Sequence, residues 1–373
     1  MGRRAPLVLL LAGSLSAAGL NAQDSTASVV LHGFGSWAYG KTSNNFYLAG
    51  APEGDYRQVS FALNLDARVS DKLAIHAQGR LAEDEDGTHT VLSYAFAALQ
   101  LSDRFSIRVG QVKQPFGIFT EVTSVGTLRP FLDLPQGVYG PVGFAGESYK
   151  GIGVFGTLDG GPWALEYDLY GGGTDLIKFS VAEDFYRSDA PLSASEENEL
   201  QSTRDVIGGR LVVRTPVRGL SFGVSASTGV LNEPAANRST VVAGQLQFSS
   251  NRFTFESEVA QLAQVADEHA TGAYVQAAYR LTAAWQIAVQ GDYLDDTFVG
   301  VDPSAAPSLQ RHREIAGALN YWISRDFVIK TEYHVLNGNR FSMPRPEDLR
   351  SVVSAGQLRT MTHLFQLGAQ FTF

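Results

Sequence analysis

Between Lys113 and Lys150 the chain carries charges of both signs: Lys113, Glu121, Arg129, Asp133, Glu147 and Lys150. Residues of these types at such spacing are as often solvated or paired with one another as they are functional. Set around a narrow aqueous passage, however, they sort solutes by charge. The material for catalysis elsewhere is poor. Gly151-Ile152-Gly153-Val154-Phe155-Gly156 spells GxGxxG, yet it lies inside an alternating strand pattern and opens no helix, whereas dinucleotide binding needs strand, turn and helix. Glu83-Asp84-Glu85-Asp86-Gly87 matches a fragment of a Ca²⁺ loop without its remaining ligands and reads as a solvated acidic loop. The histidines show no HExxH or other close metal spacing, and there is no GxSxG elbow. No catalytic residue, cofactor or metal site is therefore assigned.

The elements that must position those charges are strands. Past the N-terminal leader, no apolar run approaches the roughly 18 residues a spanning helix needs. Period-two alternation recurs instead: Val59, Phe61, Leu63, Leu65 and Ala67 alternate with Ser60, Ala62, Asn64, Asp66 and Arg68. Trp285–Tyr293 and Phe327–Val335 repeat the pattern. Sixteen such segments lie near 28–39, 56–70, 72–83, 88–101, 104–112, 149–158, 162–171, 203–215, 219–230, 237–249, 251–264, 270–281, 284–295, 311–323, 326–336 and 361–373.

The links between them alternate between tight turns, such as Ser70-Asp71 and Ser102-Asp103, and longer connections, including 40–55, 113–148, 172–202, 296–310 and 337–360. Short turns at one end and long loops at the other, with an even strand number, describe a transmembrane antiparallel β-barrel. Closure satisfies every backbone polar group in lipid with no edge left over. A soluble sandwich or propeller is the rival. Its strands are usually shorter, and the chain shows no repeat of blade length. Trp37, Tyr39, Trp163, Tyr279, Trp285, Tyr293, Tyr321 and Trp322 stand near segment ends, as membrane-boundary anchors do.

The chain has 373 residues, no cysteine and a formal charge of −9, which argues against a nucleic-acid partner. Arg3 and Arg4, an apolar stretch from Leu7 to about Leu15 and then small residues predict a secretory signal peptide over 1–22, cleaved after Ala18 or Ala22. Residues 23–373 then form a single barrel domain. The closing stretch LFQLGAQFTF alternates to Phe373, which predicts a last strand pairing with the first near Val30–Phe34. Phe373 also resembles the C-terminal aromatic by which such barrels are recognised for assembly.

The longest connection, 113–148, is unusually apolar, with Phe116, Phe119, Phe131, Leu132, Leu134 and Tyr139, and four prolines stiffen it. A long apolar loop needs a surface to pack on. The lumen of a sixteen-stranded barrel provides one, so this third loop is predicted to bend inward; an external cap is the alternative.

Gly110-Gln111-Val112-Lys113-Gln114-Pro115-Phe116-Gly117-Ile118 resembles the "GQ-F-K-x-P-F-G-L" strand-to-loop segment of the phosphate-selective porin (O/P-like) family, with Val112 where the family has Phe. The resemblance implies a trimeric, sixteen-stranded outer-membrane channel with an inward third loop. The expected function is a porin: a water-filled pore for passive diffusion of small hydrophilic solutes or ions. Its channel constriction is assigned to Lys113, Glu121, Arg129 and Asp133, opposed by Arg80 and Arg108. Strand charges of both signs, Arg210, Arg280 and Lys330 against Asp168, Glu258, Asp292, Glu314 and Glu332, predict a mixed lining. A substrate-selective channel for anions, an outer-membrane hydrolase and an adhesin with a blocked lumen are the alternatives. Membrane lipid, lipopolysaccharide, small solutes or ions and two further copies of the chain are the expected partners. The long loops at 172–202 and 337–360, the latter with Arg340, Arg345 and Arg350, could meet lipopolysaccharide or water.

Overall fold

The computed structural model describes residues 28–373 apart from residue 49 and the segments 85–86, 179–198, 232–236, 265–268, 298–306, 346–347, 349–350 and 354. The segment 1–22 expected to be a signal peptide, the centre of the acidic loop at 83–87 and most of 172–202 lie outside the described residues. In chain order the strands are β1 (Ser28–Thr42), β2 (Phe46–Tyr47), β3 (Asp55–Arg68), β4 (Leu73–Asp84), β5 (Gly87–Ser102), β6 (Phe105–Lys113), β7 (Ser148–Gly160), β8 (Trp163–Lys178) and β9 (Glu199–Arg214). There follow β10 (Leu220–Leu231), β11 (Arg238–Ser249), β12 (Phe253–Gln264), β13 (His269–Arg280), β14 (Trp285–Thr297), β15 (Arg311–Ser324), β16 (Phe327–Asn337), β17 (Ser342–Met343) and β18 (Met361–Thr372). All but β2 and β17 pair antiparallel with their neighbours in one closed barrel of sixteen strands, in which β1 joins β3 on one side and β18 on the other.

The distribution of side chains is inverted relative to a soluble sheet protein. Val59, Phe61, Leu63 and Leu65 on β3 are exposed, while Asn64 between them is buried. On β16, Val328, Lys330, Glu332 and His334 are buried, while Tyr333 is 53% exposed. Apolar positions outside and polar positions inside are what a hydrocarbon solvent around a polar interior selects. The anchoring aromatics Trp37, Trp163, Tyr279, Trp285 and Tyr321 are exposed on the outer face. Trp322 departs from that expectation: it has the inward parity of β15, and the Arg280 guanidinium stands 5.2 Å from its ring centroid.

Strand boundaries follow the alternation closely, with two informative differences. β8 continues to Lys178, past the stretch Gly171-Gly172-Gly173 that ended the apolar pattern. A register shift between Gly172 and Thr174 absorbs the break and lets β8 keep pairing with β9. The closing seam is also displaced. Phe34 faces Thr372 and Thr42 faces Leu364, and Phe373 exchanges both backbone hydrogen bonds with Gly33 at 3.0 Å. The last strand therefore lies along 33–42 rather than near Val30–Phe34, because β1 runs on to Thr42. Its first residues, Val29 to Leu31, have register partners on β3 and are exposed. Rings cover the glycines of this seam: Phe371 lies over Gly35, and Phe373 over Gly33.

The two-stranded pair β2–β17 joins the first and last long connections. Arg340 in the last connection is 1% exposed and its Nε donates to Asp296 at 2.9 Å, so it is an internal ion pair and not a charge offered to lipopolysaccharide or water. Arg345 instead reaches Glu53 at 3.0 Å across the same pair of loops.

The outer face gives a direct test. Leu63→Arg, in the middle of β3, is expected to lower the folding free energy in lipid bilayers by about 2–4 kcal/mol. Urea unfolding in vesicles measures this, and an unchanged value would contradict the assigned outer face.

Candidate channel constriction

The connection from β6 to β7 lies against the inner wall, and its first turn shows why. At Gln114-Pro115-Phe116-Gly117 the chain leaves β6, and Gln114 fastens the two ends of the loop: its Nε2 donates to the Tyr170 hydroxyl at 2.7 Å and its Oε1 accepts from Gly146 N at 2.8 Å. Gly117 has φ +56°, and a side chain there would meet Glu258 and the Tyr139 hydroxyl. A glycine is required twice over, by its left-handed backbone and by the approach to the wall. Beyond it, Ile118 N donates to Glu258 Oε1 at 2.9 Å, and the Tyr139 and Tyr274 hydroxyls also donate to Glu258. Burial first, and then the charge of Glu258, raise the Tyr139 pKa well above that of an ordinary phenol, so it donates as a neutral hydroxyl.

Apolar packing runs parallel to these bonds. Phe116, Phe119, Leu134, Val138, Val142 and Phe144 form one buried cluster with wall residues that include Val241, Leu262, Tyr274 and Leu294. The loop's second half crosses to β14–β18. Lys330 Nζ donates to the carbonyls of Gly126, Arg129 and Phe131 at 2.7–3.0 Å. Leu132 N donates to Glu332 Oε1 at 2.6 Å, Asn320 donates to Pro130 O at 2.8 Å, and Gly137 N, in the helical turn α1 (Gln136–Tyr139), donates to the Asp292 carboxylate. Side chains of the wall thus satisfy loop backbone groups that would otherwise be buried without partners.

The six residues assigned to a constriction separate into three places. Lys113 Nζ lies 2.7 Å from Glu147 Oε1, and Arg80 reaches the same carboxylate at 3.5 Å. Burial alone would raise the Glu147 pKa, but the charges of Lys113 and Arg80 outweigh it and hold the group below the usual carboxylate value. Arg108, 4.7 Å above the Phe155 ring, pairs with Asp168 and lies 4.0 Å from Glu121, which also pairs with Arg210. Arg129 and Asp133 stand apart from both groups. The first donates to Leu132 O at 2.8 Å, and the second accepts from Gln366 at 2.8 Å on the β18 wall. Arg210 and Asp168, assigned only to the general lining, complete the Arg108 group. Gln114 and Tyr139 had no signal as site residues, because Tyr170 and Glu258, the wall groups they bind, lie on strands far along the chain.

Residues 53–373 match the family model described as phosphate-selective porin O and P. The chain belongs to this porin family. Among curated protein sequences none matches it. Solved structures similar to it include the outer membrane channel DcaP of Acinetobacter baumannii, with TM-score 0.58 and 11% identity over 95% of this chain and 100% of that one. Salmonella typhi OmpF has TM-score 0.58 and 13% identity over 93% and 98%. An anion-selective porin from Comamonas acidovorans has TM-score 0.56 and 11% identity over 93% and 100%. At these identities the likeness is one of fold: a closed outer-membrane barrel.

Two cavities open toward the short-turn end of this porin. One of about 480 Å³ is lined by Arg68, His76, Ser106, Glu166 and Asp168 on the β3–β8 side. The other, about 920 Å³, lies under loop residues Leu128 to Pro130 and is lined by Glu256, Arg280 and Trp322. Glu258, Asp292, Glu314 and Glu332 stand on β12–β16, whereas Arg80, Arg108 and Arg210 stand on β4, β6 and β9.

Gly117→Val should displace the loop while leaving the barrel formed. A side chain in a left-handed conformation costs about 1–3 kcal/mol before any collision with Glu258. Faster proteolysis within 114–147 and larger single-channel conductance are expected, with heat-modifiability unchanged. Unaltered proteolysis and conductance would exclude this docking role.

Proposed function

We propose that this porin is a passive, water-filled channel for small hydrophilic solutes, narrowed by loop 114–147 and favouring anions over cations. One observation carries the charge preference. The carboxylates of β12–β16, Glu258, Asp292 and Glu332, accept loop N–H groups and are at most 5% exposed. Glu314 on the same wall is also covered. The loop therefore masks the acidic half of the lining. On the opposite side Arg80, Lys113, Arg108 and Arg210 stand against Glu147, Glu121 and Asp168; Arg80, Glu147 and Glu121 are 30%, 28% and 35% exposed, and Lys113, Arg108 and Arg210 are more covered, at 8%, 9% and 14%. The named cations outnumber the named carboxylates, so a mobile anion crossing here meets a positive balance. The family's description as phosphate-selective supports the same sign.

Arg80, Arg108, Lys113 and Glu121, joined by Arg210, Asp168 and Glu147, are the residues we assign to the narrow passage. Arg129 and Asp133 act instead at the cavity and wall beneath the loop. Diffusion through such a passage needs no cofactor and no energy source. Export by the 1–22 signal peptide, lipopolysaccharide around the outer rim and assembly as a homotrimer belong to this reading. The trimer should run as a heat-modifiable band on gels.

Reversal potentials in planar bilayers under a KCl gradient test the charge preference. The wild-type chain should pass chloride more readily than potassium. Arg108→Ala combined with Arg210→Ala should move the reversal potential toward cation preference, and Asp168→Asn should move it the other way. Arg129→Ala should leave it in place. A reversal potential at zero for the wild type would reduce the protein to a general diffusion pore. Absence of conductance steps would refute the channel.

A further inference from the structure

A compact group of ligand-type side chains lies on the inner wall away from the basic passage. Asp292 on β14 and Glu314 on β15 are direct register partners, and His312 sits two residues before Glu314 on the same inward face. All three are at most 5% exposed. His312 Nε2 lies 3.6 Å from Asp292 Oδ2 and 3.4 Å from Glu314 Oε2, and one ligand atom from each of the three residues falls within 4.8 Å of the others. That buried nitrogen makes no hydrogen bond. Its carboxylate distances are those of a loose ion pair, and they match the ~3.3–3.5 Å between neighbouring donors around a tetrahedral cation with bonds near 2.0–2.1 Å.

Two ionised carboxylates held side by side on adjacent strands, away from water, call for positive charge beside them; protonated His312 and His334 supply it without a metal, and a bound cation would take the place of the His312 proton. The surroundings orient the group as outer partners of a metal site do. His334 Nδ1 is 2.8 Å from Glu314 Oε1, and the other nitrogen of that ring faces Glu332 Oε2 at 3.2 Å. The Tyr47 hydroxyl donates to Glu314 Oε2 at 3.2 Å, and Gly137 N donates to both Asp292 oxygens. The rings of Phe341 and Tyr47 flank the His312 imidazole at centroid distances of 5.3 and 6.2 Å.

We propose that Asp292, His312 and Glu314 form a divalent-cation site of the Zn²⁺ type at the point where three long connections meet the barrel wall. One imidazole with two carboxylates suits zinc rather than Ca²⁺ or Mg²⁺, which take all-oxygen sets. Tyr47 comes from the first connection, Gly137 from the inward loop and Phe341 from the last. A cation here therefore fixes all three relative to β14 and β15. The sequence hid the site because Asp292 and His312 are separated by a connection and become neighbours only through strand register.

The test uses the full-length folded barrel in detergent, stripped with EDTA, equilibrated with ZnCl₂ and desalted. One Zn²⁺ retained per chain by mass spectrometry, together with a rise in the thermal unfolding midpoint, is expected. His312→Gln should weaken Zn²⁺ binding at least about tenfold, while His363→Gln, at an exposed outer position, should not. Wild-type protein that retains no zinc, or a His312→Gln protein that retains it equally, overturns the site. Should His312→Gln fail to give a heat-modifiable barrel, Co²⁺ added to the wild-type chain decides. Intense visible bands of a tetrahedral nitrogen–oxygen set support the site, and the weak spectrum of the aqueous ion refutes it. None of these readouts depends on conductance, so the site stands or falls independently of the channel reading.

Discussion

Backbone hydrogen bonding in hydrocarbon is the constraint on which the rest of this structure depends. A strand in lipid has no water to satisfy its N–H and C=O groups, so every strand must have two neighbours. Sixteen strands meet that demand only by closing β1 onto both β3 and β18. Closure then fixes which side chains face out. Alternate residues go to lipid and must be apolar, and the others go inside, where Asn64, Gln276, Glu332 and Gln366 can be tolerated.

A polar interior of this size creates a second demand, which the loop between β6 and β7 meets. An inward loop buries its own amides and carbonyls and cannot lie on an apolar surface without loss. The wall supplies the complements. Carboxylates of Glu258, Asp292 and Glu332 accept loop N–H groups, and Lys330 and Asn320 donate to loop carbonyls. Phe116, Phe119 and Phe144 fill the space between these bonds. The same arrangement that holds the loop in place also covers the carboxylates of Glu258, Asp292 and Glu332.

The closing seam shows the same economy on a smaller scale. Gly33 and Gly35 have no side chains to present to lipid, and the rings of Phe373 and Phe371 lie over them. Phe371 also stacks on Phe327 of the neighbouring β16, and Phe373 on Phe61 of β3, so the aromatic end of the chain reaches across β1 as well.

Period-two patterning and link lengths made the barrel, its strand number and nearly every strand boundary legible in the sequence, because a strand in lipid must alternate whatever its neighbours are. The segment Gly110–Ile118 likewise disclosed the family, and its Gly117 has a local backbone reason to be glycine. Where the pattern weakened, at Gly171–Gly173, the reading stopped short, since pairing through a register shift needs the partner strand to be known. Charges were legible as types but not as partners. Arg108 with Asp168 and Glu121, Lys113 with Glu147, and Asp292 with His312 join residues from separate strands or opposite ends of a loop. Such pairings depend on barrel register and on where the loop comes to rest. The sequence by itself determined the wall, because that follows from local alternation against lipid. Only the tertiary structure decided which charges the loop covers and which remain open to the lumen, because that follows from contacts between residues distant along the chain.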